Sequence, residues 1–305
     1  MADISVRLFG RTLRNPVMNA SGTLGYGIEI EPLWPVDTLG AYVSKGLSAQ
    51  PHHGNPQPRL REERSALMNS IGLQNIGVAR FFAEVFPLFR KRQTPVIINF
   101  FGFTEEEYVR CAEAIGDDGL ICALEMNLSC PNIKEGGICF GKRPEDVHRI
   151  VRRVKGATGL PLLAKLTPET EDITAVARAA YEAGADGITV LNTFPALAVD
   201  VEGMRTAARG GLSGPFLKPL ALRAIADISG ALPIPVIGTG GIMDAGDALS
   251  FLMAGATAVQ VGTATFIDPF TIPRIIRGID EYMEVRRISR IDEIIGAARA
   301  QDRAI

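Results

Sequence analysis

Short apolar runs recur along the chain, and most are followed by a longer stretch with helical spacing. The runs are 16–20 (PVMNA), 41–44 (AYVS), 95–99 (PVIIN), 123–128 (ALEMNL), 161–165 (PLLAK), 187–192 (GITVLN), 235–238 (PVIG) and 258–261 (AVQV). Each spans four to six residues, and most are rich in Val, Ile and Leu, as parallel strands buried on both faces are. Several start at a proline or after a Gly-Ala-Asp-Gly turn, which bounds them sharply. Of the helical stretches, 104–115 opens on Thr104 as a cap with glutamates in its first turn. Residues 144–154 place Pro144 near the first helical position and Val147, Ile150, Val151 and Val154 on one face. Residues 173–183 and 244–254 repeat the theme, the second with Asp244 as N-cap, and end at Gly184 and Gly255.

Eight strands with helical stretches between most of them predict an α/β fold, a closed (β/α)8 TIM barrel forming one domain over 1–305. The competing architecture is an open, doubly wound sheet. The opening segment, 4–14, has a turn at Gly10 and is expected to form an N-terminal hairpin under the barrel. Segments 46–77 and 193–214 are too long for plain strand-to-helix loops, so they are expected to be inserted lids or binding loops at the C-terminal face.

Composition narrows the function. With 47% hydrophobic and 22% charged residues, the chain has the balance of a folded globular protein. Its formal net charge of −2 implies no general attraction to nucleic acid or to an anionic membrane. The N-terminal MADISVRLFGRTLRNP lacks the pattern of a signal peptide, and no apolar run approaches a membrane span. A cytoplasmic location with reduced thiols is expected. Cys111, Cys122, Cys130 and Cys139 show no CxxC pairing, and no His/Asp/Glu spacing suggests a metal site.

In such a barrel, chemistry sits just past the C-terminal ends of the strands. Those positions hold Ser21-Gly22, Lys45-Gly46, Asn99, Asn127 with Ser129-Cys130, Lys165, Asn192-Thr193, Gly238-Thr239-Gly240-Gly241 and Gly262-Thr263. The glycine turns after the last two strands are phosphate candidates, since glycine lets backbone N–H groups approach an anion. A Rossmann reading fails because Met243 stands where GxGxxG needs its last glycine. Lysine resists burial, so Lys45 and Lys165 at a barrel mouth are expected to meet an anion or an electron-rich ring. Pairing with a carboxylate such as Glu125, or Schiff-base chemistry, are the other readings. Cys130 is flanked by asparagines and followed by proline, unlike Cys111 and Cys122, which fit buried apolar positions.

At these residues the chain resembles the class 1 dihydroorotate dehydrogenases. The resemblance runs through NASGTLGYG (19–27), SKG (44–46), GNPQPR (54–59), MNSIGLQN (68–75), NLSCPN (127–132), AKLTP (164–168), TVLNT (189–193), GGLSGP (210–215), IGTGGI (237–242) and VGTA (261–264), in that order and over nearly the whole length. It implies FMN across the barrel mouth. Gly240, Gly241, Gly262 and Thr263 would hold its phosphate, with Gly214 nearby. Ser21, Lys45, Gly46, Asn99, Asn127, Lys165 and Leu191 would border the flavin. The substrate would meet Asn127, Asn132, Asn192 and Thr193 at its amide edges. Its carboxylate would meet Lys45 and the loop of Asn69, Ser70, Ile71, Gly72 and Leu73. Cys130 would be the base that removes the C5 proton of dihydroorotate while hydride passes from C6 to FMN, leaving orotate.

The stretch KEGGICFG (134–141) is similar to the KxGGxxFG pattern of the NAD-linked class 1B form. That likeness implies a homodimer joined to an iron–sulfur partner subunit carrying FAD and a [2Fe–2S] cluster, together a heterotetramer. It leaves Cys139 without a role, and 130–141 is expected to be the substrate lid. Two rivals stand beside this reading: a related flavin barrel acting on another dihydropyrimidine, and a non-redox phosphate-binding aldolase or isomerase using Lys45 or Lys165.

Overall fold

All eight apolar runs become strands of one parallel sheet. The computed structural model describes residues 2–129, 131–132 and 138–299, for 131, 132 and 138 the backbone alone. The barrel strands are β1 (Val17–Asn19), β2 (Tyr42–Val43), β3 (Val96–Phe100), β4 (Ile121–Asn127), β5 (Leu162–Lys165), β6 (Gly187–Val190), β7 (Val236–Thr239) and β8 (Ala258–Val261). They pair in the order β1-β8-β7-β6-β5-β4-β3-β2. The ring closes between β1 and β2 through a bridge of Met18 with Ala41 and through Gly40 N–H donating to Val17 O. Asn19 completes the seam with its side chain. Its Nδ2 donates to Val43 O at 2.7 Å and its Oδ1 accepts from Val43 N at 2.9 Å, so an amide side chain continues a ladder that two-residue β2 is too short to make.

Nearly every strand residue is buried, one face toward the barrel axis and the other toward the surrounding helices. The helices start where local chemistry directs. Thr104 caps Glu105–Ala114 by accepting from Glu107 N, Asp172 caps Ile173–Glu182, and Asp244 caps Ala245–Ala254. Pro144 opens Pro144–Lys155, which buries Val147, Ile150, Val151 and Val154. Gly255, at φ 117°, ends the helix before β8 in the left-handed conformation.

The N-terminal hairpin forms as expected. Val6–Leu8 pairs with Arg11–Leu13 around Phe9 and Gly10, both at positive φ, the geometry of a tight two-residue turn. Phe9 packs beneath Gly187 at the start of β6, where a Cβ would lie 3.1 Å from its ring. The hairpin thus seals the N-terminal end of the barrel.

The long insertions depart from the expectation of loops. Leu60–Glu63, Ala66–Asn69, Phe194–Asp200 and Arg205–Ser213 form one four-stranded antiparallel sheet. Its central contact pairs Arg205–Ser213 with Ala66–Asn69, strands far apart in the chain. Each insertion is its own antiparallel hairpin, Leu60–Glu63 with Ala66–Asn69 and Phe194–Asp200 with Arg205–Ser213, and the two hairpins join through that contact. Among the described residues, no helix is long and apolar enough to cross a membrane.

Candidate active site

Period-two alternation along the barrel strands brings Asn99, Glu125, Lys165, Thr189 and Gln260 together inside the barrel. Glu125, on β4 and fully buried, is the hub. Its Oε1 accepts from Asn99 Nδ2 at 2.7 Å and from Lys165 Nζ at 3.2 Å. Its Oε2 accepts from Gln260 Nε2 at 2.6 Å and from Thr189 Oγ1 at 2.8 Å. Burial pushes the carboxyl pKa up, but the Lys165 charge and hydrogen bonds from Gln260, Asn99 and Thr189 outweigh it and hold the group below its usual value. Glu125 is therefore an ionised, fully partnered carboxylate. Of the readings open for Lys165, the ion pair is the one present, and it leaves the amine a poor free nucleophile. Lys165 Nζ also donates to Gln260 Oε1 at 3.2 Å.

Above this layer, Asn127 and Asn192 meet at the ends of β4 and β6. Asn192 Nδ2 donates to Asn127 Oδ1 at 3.0 Å and to Ser129 Oγ at 2.9 Å, while Asn192 Oδ1 accepts from Thr193 N. The strand β6 stops at Val190, earlier than the apolar run suggests. Leu191 and Asn192 leave the sheet, donating to Thr239 O and Leu166 O. Thr193 and Asn69 converge on Gly211, where a Cβ would lie 2.2 Å from Thr193 Oγ1 and 3.4 Å from Asn69 Nδ2. Only glycine permits that approach.

The loop Asn69, Ser70, Ile71, Gly72, Leu73 is clamped from outside by Asn55. The Asn55 backbone N donates to Ile71 O, and its side chain donates to Ser70 O and Oγ. Gly72 and Leu73 both adopt positive φ. Lys45 lies over the Tyr26 ring, 6.0 Å from its centroid, and the Tyr26 hydroxyl accepts from Ile76 N just past that loop. Burial, and then the nearby Arg59 guanidinium, lowers the Lys45 pKa from the usual lysine value. A lysine cation in a partly buried space favours an anion there.

At the other side of the mouth, Gly240 and Gly241 hold positive φ of 116° and 83°. A Cβ on Gly241 would meet Lys218 N at 2.6 Å and Gly214 O at 3.1 Å, so the turn after β7 rests against the start of helix Lys218–Ala231. Leu191 packs 3.8 Å from the Cβ position of Gly240. Gly262 lies beside Ala20, next to Ser21, and Thr263 Oγ1 shares a 2.8 Å hydrogen bond with Ser213 Oγ. The expected phosphate residues are thus brought together around glycine turns and the Thr263 and Ser213 hydroxyls, a composition suited to an anion.

Cys130, with 133–137 of the proposed lid, lies outside the described residues, as does the side chain of Asn132. Their flanks, Pro131–Asn132 and Ile138–Cys139, pair as a short antiparallel ladder. Cys139 is buried and its thiol meets Leu128 O at 2.9 Å, which accounts for it as a packed side chain. Residues the sequence reading did not place in the site are Arg59, Tyr26, Ser213, Thr189 and Gln260. A glutamine inside AVQV and a glutamate inside ALEMNL were the available signals, because a polar residue in a buried strand needs partners.

A family model described as dihydroorotate dehydrogenase matches residues 3–283. The chain belongs to the dihydroorotate dehydrogenase family. Among its relatives, the Geotalea daltonii protein named dihydroorotate dehydrogenase B (NAD(+)), catalytic subunit, is 46% identical over 300 residues, covering 97% of this chain and 98% of that protein. Proteins of the same name from Geobacter sulfurreducens and Pelobacter propionicus are 46% and 44% identical, each over 298 residues and 98% of its own length.

Dihydroorotate dehydrogenases are flavin-dependent enzymes, and this barrel mouth fits a flavin on its own evidence. Asn99 Oδ1 is buried and lacks a hydrogen-bond donor among the described residues. Directly beside it, Gly46 leaves space that a Cβ would close, 2.9 Å from Asn99 Oδ1 and 3.3 Å from the Phe101 ring. A buried acceptor facing a glycine-lined gap is a demand for a ligand donor.

Proposed function

We propose that this chain oxidises (S)-dihydroorotate to orotate for pyrimidine biosynthesis, as the single-domain, FMN-binding catalytic subunit of a cytoplasmic NAD-linked dihydroorotate dehydrogenase. The observation that carries the reading is the open acceptor on Asn99, set beside Lys165 and Gly46 in a barrel whose relatives bear that name.

In this reading Gly240, Gly241, Gly262, Thr263 and Gly214 hold the FMN phosphate. Ser21, Gly46, Asn99, Lys165 and Leu191 border its ring, with Lys45 and Asn127 shared with the substrate. FMN, when bound, supplies a two-electron acceptor. Asn127, Asn132, Asn192 and Thr193 orient the substrate, their amides and hydroxyl offering both donors and acceptors to a cyclic imide. Lys45 neutralises the substrate carboxylate, assisted by Arg59 and by backbone N–H groups of 69–73. Cys130 takes the proton from C5, and the electron pair of that bond becomes the new C5–C6 double bond as hydride leaves C6.

The subunit organisation follows the same reading. The chain forms a homodimer and passes electrons to a partner subunit carrying FAD and a [2Fe–2S] cluster, and thence to NAD+.

The test is direct. Purified protein supplied with FMN should be yellow, and anaerobic dihydroorotate should bleach it. Protein that stays colourless after FMN is added overturns the proposal. NAD+ reduction only when the iron–sulfur flavoprotein is present supports the subunit assignment; efficient fumarate reduction by the chain alone overturns it.

A further inference from the structure

Glu125 is a buried, ionised carboxylate to which the reaction assigns no task. An ionised carboxylate is acceptor-only, with about four lone-pair sites. All four are filled by side chains from β3, β5, β6 and β8. This has consequences for the donors. Asn99 must turn its NH2 toward Glu125, because the reverse orientation would set two acceptors against each other. Its carbonyl oxygen is thereby presented toward Gly46 and the mouth, where it is the orphaned acceptor. Gln260 must likewise turn its NH2 to Glu125, which leaves its oxygen for Lys165. Lys165 spends two N–H bonds, on Glu125 and Gln260, and keeps a third.

We propose that Glu125 is a positioning residue that polarises the floor of the flavin site, holding Asn99 as an acceptor and Lys165 as a cationic donor side by side. The flavin ring offers acceptors next to an N–H donor along its pyrimidine edge, which is the complement of that pair. This rests on the reading that Asn99 and Lys165 border FMN. A stabilising role alone explains the network poorly, because buried ion pairs are commonly replaced by apolar residues at no cost in stability.

The deciding variant is Glu125→Gln, whose amide accommodates Asn99 in either orientation. FMN affinity, read by quenching of flavin fluorescence, is expected to fall about tenfold, the scale of a charge-assisted hydrogen bond. The flavin midpoint potential is expected to move positive, since a buried negative charge is lost while Lys165 keeps its own. Asn99→Leu should also weaken FMN binding. The double variant should lose no more than the larger single loss, because both act through one amide. Affinity and potential equal to wild type in Glu125→Gln, or losses that add in full, would overturn the proposal. Should Glu125→Gln not fold, Gln260→Leu, close in volume, carries the test: weaker FMN binding supports the network's role, and unchanged binding removes it. Wild-type protein that takes up no FMN sinks the flavin reading itself. Wild type and Glu125→Gln binding FMN equally sinks only the role of Glu125.

Discussion

Asn192 donates to Asn127 at 3.0 Å across the ends of two barrel strands that are not neighbours in the sheet. The bond fixes both amides, with Asn127 Oδ1 accepting from Asn192 and Asn192 Oδ1 engaged by Thr193 N. Asn192→Ala is expected to lower kcat/KM for dihydroorotate by about ten- to a hundredfold, the cost of one or two substrate hydrogen bonds. FMN content should be unchanged. Steady-state kinetics with flavin quantitation checks this, and a variant with normal kcat/KM removes the pair from substrate binding.

The thiols should separate by reactivity. Burial pushes Cys111 up to about 12 and Cys122 up to about 11, and raises Cys139 as well. A raised value keeps each as the unreactive thiol throughout the neutral and mildly alkaline range. Iodoacetamide near pH ~8 is expected to alkylate the folded protein at Cys130 first, with orotate slowing the reaction. Cys130→Ala should retain FMN and lose most turnover, while Cys130→Ser keeps a small fraction. Peptide mapping and stopped-flow flavin reduction give the answer; normal reduction in the alanine variant assigns the base elsewhere.

Lys45 predicts a pH effect on substrate binding. Its lowered pKa means that the cation is lost at a lower pH than for an ordinary lysine at 10.5. KM for dihydroorotate should therefore rise as the pH climbs through that lowered value. Lys45→Arg should hold its KM to higher pH, because guanidinium keeps its charge throughout the range in which lysine titrates. KM profiles of the two proteins that coincide would exclude Lys45 as the group responsible.

At the barrel seam, Asn19→Leu removes both side-chain bonds to Val43 and strands its buried N–H and C=O. The expected loss is about 3 kcal/mol of stability. Denaturant titration of the wild type and variant measures it, and a loss below about 1 kcal/mol would mean that the seam closes without this side chain.

Much of the architecture could be read along the chain. The apolar runs marked all eight barrel strands, and Thr104, Pro144 and Asp244 marked helix starts, because these are local preferences of period, capping and φ. The four-stranded insertion sheet could not be read this way. Asn69 and Gly211 are 142 positions apart, so the contact that joins the two insertion hairpins into one sheet lies beyond any local pattern.

The same division runs through the site. The residues at the strand ends could be named along the chain: glycines suited to a phosphate and lysines suited to an anion, while the asparagines gained a substrate role only from the family resemblance. Their gathering at one end follows from the rule that parallel barrel strands point their C-terminal ends to one face. Which amide faces which partner, and that Lys165 is tied to Glu125 while Lys45 lies over the Tyr26 ring, was decided only by the tertiary structure. Hydrogen-bond polarity depends on the register between strands and on what occupies the space between them. That is a property of the closed barrel and of no single stretch of the chain.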